Sequence, residues 1–219
     1  MRHDYLIQQK CWFGGGTAIV LKLGEYRRSL NVDFLCADID GYRELRSAAV
    51  KHGAAAFFDG PIEQLREFKA DQYGIRAMLS FRGQPIKFEV IRESRIEIEG
   101  TFDPQLGVPT LVAEDMYAER LLANADRCFD LSVAYRDAVD LGMLIAELGS
   151  IPEASIHKAE KAYGEDVAAK LIAIIAALVD DTEKIRHAAG ALDMQEGEVL
   201  RSIEALRADC LRLWPGSVR

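Results

Sequence analysis

Apolar residues in this chain follow two rhythms, and the change between them divides it. In the first half they alternate or gather in short runs. Asn31 to Ala37 (NVDFLCA) puts Val32 and Phe34 on one face and Asn31, Asp33 and Leu35 on the other, the period-two pattern of a strand. Tyr73 to Phe81 and Ile86 to Ile91 are β-rich runs separated by Arg82-Gly83-Gln84-Pro85, which predicts a hairpin. Arg95 to Glu99 alternates charged and apolar residues like an exposed edge strand. Between these runs, residues 15–24 (GGTAIVLKLG) predict a short helix ending at Gly24. Asp40 is placed to cap a helix from Gly41 to about His52, with Gly53 at its end.

After Pro109 the period lengthens to that of a helix. Glu114 to Asp126 repeats it through Met116, Tyr117, Leu121 and Leu122, and Ser132 to Leu148 through Val133, Val139, Leu141, Leu144 and Ile145. Pro152 opens a further helix, and 163–179, 181–190 and 195–213 continue the pattern, giving five or six helices and no strand. The expectation is an α+β protein: a mixed sheet with helices over residues 1–110, then a helical domain over 111–219.

Composition narrows the function classes. The 219 residues are 49% hydrophobic and 28% charged, enough to build a core. The longest clean apolar run, Leu171 to Val179, is nine residues, whereas a bilayer needs about 20, so no membrane span is expected. The N-terminus (MRHDYLIQQKCW) has no apolar segment before its charges and does not read as a signal peptide. With only ten residues before Cys11, an upstream helix is expected to be missing or shortened. Cys11, Cys36, Cys128 and Cys210 form no C-x-x-C pair and the four histidines are scattered, which predicts buried thiols in a reducing cytoplasm rather than a zinc site. Residues 1–110 carry 15 basic and 15 acidic side chains, and residues 111–219 carry 12 and 20. That balance argues against a protein that coats nucleic acid, yet leaves room for RNA on a local basic patch of the first half.

The sharpest chemical pattern is Gly14-Gly15-Gly16-Thr17, then Asn31-Val32-Asp33, then Glu89 on a later strand. Glycines at a helix start let backbone N–H groups approach a phosphate, and the helix dipole favours the anion. Side chains at positions 31 and 33 of a strand share a face and can hold one metal ion between them. A carboxylate from a neighbouring strand, here Glu89, can complete a two-metal clamp for phosphoryl or nucleotidyl transfer.

On these residues the chain resembles the AbiEii/AbiGii toxin family of nucleotidyltransferases. The first block is Phe13 to Ser29 with the D-x-D-like Asn31-Val32-Asp33. The second runs from Glu114 through Arg120 to Arg127, resembling the family's "AEKLLAN-DR" helix, and on to Arg136-Asp137-Ala138-Val139-Asp140-Leu141. The resemblance implies a DNA polymerase β-like nucleotidyltransferase domain with a helical second domain. It implies transfer of a nucleoside monophosphate from an NTP to an acceptor, tRNA in some members, and a toxin restrained by a neighbouring antitoxin. By the same token Asp33, Glu89 and Asn31 are the expected catalytic and Mg²⁺-binding residues. Gly15, Gly16, Thr17, Ser29, Arg120, Arg127 and Asp137 are the expected nucleotide-binding residues.

The chain departs from the family at the first motif position, where Asn31 replaces Asp and lowers the formal charge of the triad from −3 to −2. Arg120 stands where the family has Lys. Plainer readings stay open at several positions: Gly14–Gly16 as a simple turn, Glu89 as a solvated strand charge, Arg136 and Asp140 as a surface ion pair, Arg27 and Arg28 as solvated rather than phosphate-binding. Two rival functions remain at this stage. One is a degenerate relative that binds a nucleotide or a partner protein without turnover. The other is a small-molecule adenylyltransferase of the aminoglycoside-modifying kind.

Overall fold

The computed structural model describes residues 1–179 and 181–216, which divide into two compact units. The first comprises Met1–Ala18 and Ser29–Val112, and the second Ile19–Arg28 and the chain from Ala113 onward.

The first unit is built on one mixed sheet. Its strands are β1 (Cys11–Gly14), β2 (Asn31–Cys36), β3 (Glu63–Gln64), β4 (Lys69–Ala70), β5 (Gly74–Phe81), β6 (Gln84–Arg92), β7 (Gly100–Asp103) and β8 (Val108–Leu111). They lie in the order β3-β5-β6-β2-β1-β8-β7, with β4 beside β5. The central pair β2–β6 is parallel, and its neighbours β5–β6 and β1–β2 are antiparallel. In parallel register Val32 lies beside Phe88 and Phe34 beside Val90, so one face of the pair is apolar. Phe13, Phe34, Phe88 and Phe57 form a chain of ring contacts with centroids 5.4, 5.9 and 5.0 Å apart. Leu6 of α1 (His3–Gln8) and Tyr42, Leu45 and Ala49 of α3 (Ile39–His52) complete this core. The opposite face of β2 and β6 carries Asn31, Asp33, Lys87 and Glu89, followed by Leu35 and Ile91.

Two sequence expectations fail here for local reasons. Asp38, not Asp40, caps α3: its backbone is extended and its carboxylate accepts the Gly41 N–H at 2.8 Å. Asp40 falls inside the first turn and pairs with exposed Arg43 at 3.1 Å. Arg95 to Glu99 is not a strand. The Glu93 carboxylate accepts the N–H groups of Arg95 and Ile96, at 2.5 and 3.3 Å, and turns the chain so that Ile96 and Ile98 are buried. The edge strand begins after them, at Gly100. The hairpin forms between β5 and β6 on a shorter turn, Arg82-Gly83.

The second unit is helical: α4 (Ala113–Arg127), α5 (Arg136–Leu148), α6 (Glu153–Tyr163), α7 (Asp166–Leu178), α8 (Thr182–Leu192) and α9 (Glu196–Leu213). Leu121, Leu122, Leu141, Leu144, Leu171, Ile175 and Leu206 are wholly or almost wholly buried, which accounts for the three-to-four spacing seen in the sequence. The helix expected from Ser132 starts only at Arg136, because Ala134 and Tyr135 adopt left-handed backbone between a short turn and the helix. Gly142 lets α5 and α9 touch: a Cβ there would sit 2.0 Å from the Ser202 carbonyl oxygen. The four cysteines are free and buried, and no helix among the described residues is long and apolar enough to cross a membrane.

Candidate active site

The site is assembled around the junction of β1 with α2 (Gly15–Lys22), a helix that begins in the first unit and ends in the second. Antiparallel register sets Gly14 opposite Asp33. The chain then enters α2 through Gly15 at φ +67, a left-handed conformation that favours glycine. A side chain at Gly15 would also collide with its neighbour, since a Cβ there would lie 3.1 Å from Asp33 Oδ2 and 3.2 Å from Asp33 Cβ. The glycine turn thus packs close against the carboxylate, and α2 begins beside Asp33. The hydroxyls of Thr17 and Ser29 share a hydrogen bond of 2.6 Å, which ties the start of α2 to the residue two places before β2.

Across the next strand, parallel register puts Glu89 beside Asp33 and Lys87 beside Asn31, all on one face of the sheet. Glu89 is not left to a metal alone: Lys87 Nζ approaches one carboxylate oxygen at 2.5 Å and Arg76 Nε the other at 3.4 Å. Two carboxylates and two cations therefore share this patch. Among the described residues no group of three or more His, Cys, Asp or Glu side chains is gathered to hold a metal ion. The donor set, a carboxylate at Asp33 with the neutral amide of Asn31 and the paired Glu89, fits one hard divalent cation that takes few protein ligands and fills its shell with water and phosphate oxygens. It does not fit the three carboxylates of a two-metal clamp.

Arg120, Arg127 and Asp137 lie in the second unit, where they belong to a buried ion network. Asp137 accepts from Arg120 Nη1 at 2.7 Å and from Arg127 Nε and Nη2 at 2.6 and 2.9 Å. Asp140 accepts from Arg27 Nε and Nη2 at 2.7 and 2.8 Å, from Tyr26 Oη at 2.6 Å, and from Arg120 at 3.4 Å. Burial works against ionisation of Asp137, but the Arg127 hydrogen bonds and the charges of Arg120, Arg127 and Arg136 win and hold its carboxyl below the usual range. Burial, followed by the opposing charges of Arg127 and Arg27, lowers Arg136, which lies half-buried in the same field. The guanidiniums of Arg27, Arg120, Arg127 and Arg136 gather here around Asp137 and Asp140, with Asp126 acting on Arg127 as well.

The sequence pattern brought forward Asp33, Glu89, Asn31 and the glycine turn, and the structure places these together with Thr17 and Ser29 in one unit. It missed Arg76 and Lys87 as the partners of Glu89. Lys87 was legible, being two residues from Glu89 on one strand; Arg76 follows from the hairpin register, which pairs it with Glu89. Arg27 and Asp140 are not a solvated loop cation and a surface helix charge but a buried pair.

This arrangement, a Gly-rich turn feeding a helix beside a carboxylate strand of a mixed sheet, has a solved counterpart. A crystal structure from H. pylori assigned to the nucleotidyltransferases superposes with a TM-score of 0.52 at 18% identity, covering 96% of this chain and 90% of that one. An antigenic nucleotidyltransferase-like protein from Paracoccidioides brasiliensis gives a TM-score of 0.49 at 17% identity, over 89% and 91% of the two chains. No curated protein matches the sequence. The family described as "Nucleotidyl transferase AbiEii toxin, Type IV TA system" matches residues 2–208. The chain belongs to this family, the nucleotidyltransferase toxins of type IV toxin–antitoxin systems.

Proposed function

We propose that the protein is a Mg²⁺-dependent nucleotidyltransferase that moves a nucleoside monophosphate from an NTP onto a hydroxyl of an RNA acceptor of the tRNA class, with a cognate antitoxin as its restraining partner. The observation that carries this reading is the contact between Gly15 and Asp33, with Glu89 in register beside them. It supplies, in one place, phosphate-binding N–H groups and a carboxylate for the cation that accompanies a triphosphate.

In this reading Gly15, Gly16 and Thr17 bind the phosphates, and Ser29 fixes the Thr17 hydroxyl. Asp33 and Asn31 hold the cation, with Glu89 beside them as the remaining metal-side carboxylate. When bound, that cation offsets the charge on the triphosphate and on the departing pyrophosphate. Glu89, fixed in place by Lys87 and Arg76, also accepts a hydrogen bond from the acceptor hydroxyl and aims it at the α-phosphorus. The oxygen–phosphorus bond forms as the bond to pyrophosphate breaks, and the hydroxyl proton passes to Glu89 and on to solvent. Arg120, Arg127 and Asp137 match the family's motif positions, and on that ground we assign them to nucleotide binding.

A second reading has its own observation. With Asn31 neutral and Glu89 paired to two cations, the patch carries no net negative charge, which suits a relative that binds nucleotide without turnover. Transfer of α-labelled nucleotide separates the two. Native protein, Asp33→Asn and Asn31→Asp are incubated with Mg²⁺, each NTP and total bacterial RNA. Label transferred by the native protein and lost in Asp33→Asn supports the enzyme. Label only from Asn31→Asp supports the binding protein.

A further inference from the structure

On the first unit, away from the glycine turn, a concave pocket of about 230 Å³ is lined by Ile39, Tyr42, Arg43, Arg46, Gln72 and Arg92. Three of its six lining residues are arginines. Arg43 pairs with Asp40 at 3.1 Å, but among the described residues neither Arg46 nor Arg92 has a carboxylate or side-chain hydrogen-bond partner. Their charges converge. Burial raises the Tyr42 hydroxyl and Asp71 raises it further, while the charges of Arg46, Arg76 and Arg92 pull it back. Asp71, which also acts on Tyr42, is engaged by the N–H groups of Tyr73 and Gly74 and by Arg76. Arg46 and Arg92, like charges at one concavity, repel one another, and a polyanion removes that repulsion.

Beside the pocket stands an exposed aromatic ring. Tyr73 is 67% exposed, follows the lining residue Gln72, and its carbonyl accepts the Arg92 N–H at 3.0 Å. Guanidiniums that meet phosphates beside an aromatic face on which a base can stack are the two elements of a single-strand nucleic-acid site. A run of contacts leads from the lining residue Tyr42, whose hydroxyl donates to the Asp71 carbonyl at 2.8 Å, toward Glu89. Arg76 reaches Asp71 with one nitrogen at 3.1 Å and Glu89 with another at 3.4 Å.

We infer that Arg46, Arg92 and Tyr73 form a docking site for single-stranded RNA, the two guanidiniums on successive phosphates and the tyrosine under a base, with the bound strand leading past Arg76 to Glu89. The inference rests on the RNA acceptor proposed above and adds where that acceptor is gripped.

The test is binding, so it needs no turnover. A fluorescent single-stranded RNA of about 12 nucleotides is titrated by anisotropy into native protein, Asp33→Asn, Arg46→Gln/Arg92→Gln and Tyr73→Ala over a range of salt. Thermal melts check that each variant is folded. Native protein and Asp33→Asn are expected to bind alike. The double arginine variant is expected to lose about tenfold in affinity and to flatten the salt dependence by about 1.4 in slope, two phosphates at roughly 0.7 each. Tyr73→Ala is expected to weaken binding about tenfold with the salt slope unchanged. Unchanged affinity and slope in the arginine variant overturns the site, as does native protein that binds no RNA. Competition by inorganic tripolyphosphate as strong as by RNA, with Tyr73→Ala silent, overturns it in favour of a free phosphate ligand. Labelled transfer that persists while the arginine variant binds normally sinks this site and leaves the enzyme reading intact. RNA bound through the arginines with no transfer by any form keeps the site and sinks the enzyme reading.

Discussion

Arg27 grips Asp140 with two parallel hydrogen bonds of 2.7 and 2.8 Å, and both side chains are almost wholly buried, at 2% and 0% exposure. A charge pair this deep is strong only while complete, because removing one partner leaves the other desolvated and unpaired. Asp140→Ala is expected to lose about 3–5 kcal/mol in urea unfolding. Arg27→Met with Asp140→Leu should lose clearly less than the two single changes added together. A double change as damaging as that sum would mean the pair has no special coupling.

The same network predicts acid sensitivity. Asp137 is held below the usual carboxylate range in the folded chain, so the stability it contributes is present above its unfolded value of about 4 and is lost as pH falls through the folded value. Asp38, Asp71, Asp130 and Asp181 are lowered as well, through hydrogen bonds at caps and turns, and share that acid limb. Urea midpoints should be flat near neutrality and fall below about pH 4, and Asp137→Asn, less stable throughout, should show a shallower fall.

Gly15→Ala meets two obstacles at once, a left-handed backbone and the Asp33 carboxylate at 3.1 Å. The backbone alone accounts for about 1–2 kcal/mol. Nucleotide binding, read by protection against thermal unfolding with Mg²⁺-NTP, should fall further than this modest loss of stability explains. Equal NTP protection in Gly15→Ala and native protein would remove the turn from the phosphate site.

Gly142→Ala tests the helical unit independently. Its Cβ would meet backbone, the Ser202 carbonyl, which cannot swing aside as a side chain can. Separation of α5 from α9 should lower stability by about 1–3 kcal/mol or more. A melting temperature equal to that of the native protein would show that the two helices part freely.

Burial pushes the thiols of Cys36 and Cys210 up to about 12, Cys11 well above its ordinary value, and Cys128 upward too. A thiol reacts as thiolate, so an aromatic disulfide reagent at about pH 8 should label the native protein only slowly. In concentrated guanidinium all four cysteines should react. Rapid stoichiometric labelling of folded protein would place one of them at the surface.

How far the sequence could be read depended on the range of the interaction. Strand β2, with Asn31 and Asp33 on one face and Val32 and Phe34 on the other, was visible because period two is a local property. Helices α4 to α9 were visible for the same reason at period 3.6. Strand β1 was not, since Cys11–Gly14 is buried at every position and shows no alternation. Short β7 and β8 are held by each other and by β1, contacts no window of sequence contains. The cap of α3 turned on which of two aspartates, Asp38 or Asp40, could reach the Gly41 N–H. In the candidate site the turn and the carboxylates were legible as a motif. The partners of Asp140 and Glu89 were set by tertiary packing and by strand register.

The segment Ile19–Arg28 is numbered with the first half of the chain and packed with the second. During synthesis Arg27 leaves the ribosome 113 residues ahead of Asp140, the carboxylate that holds it. At about 5–20 residues per second that is roughly 6 to 23 seconds in which the stretch Ile19–Arg28 lacks this anchor. The loop closed by this one ion pair spans more than half the protein, and it cannot close until α5 has been made. The nascent chain therefore carries residues 19–28 long before it can hold them in place. A ribosome-bound intermediate stalled before residue 140 should be susceptible to proteolysis at residues 19–28, and the finished chain resistant there.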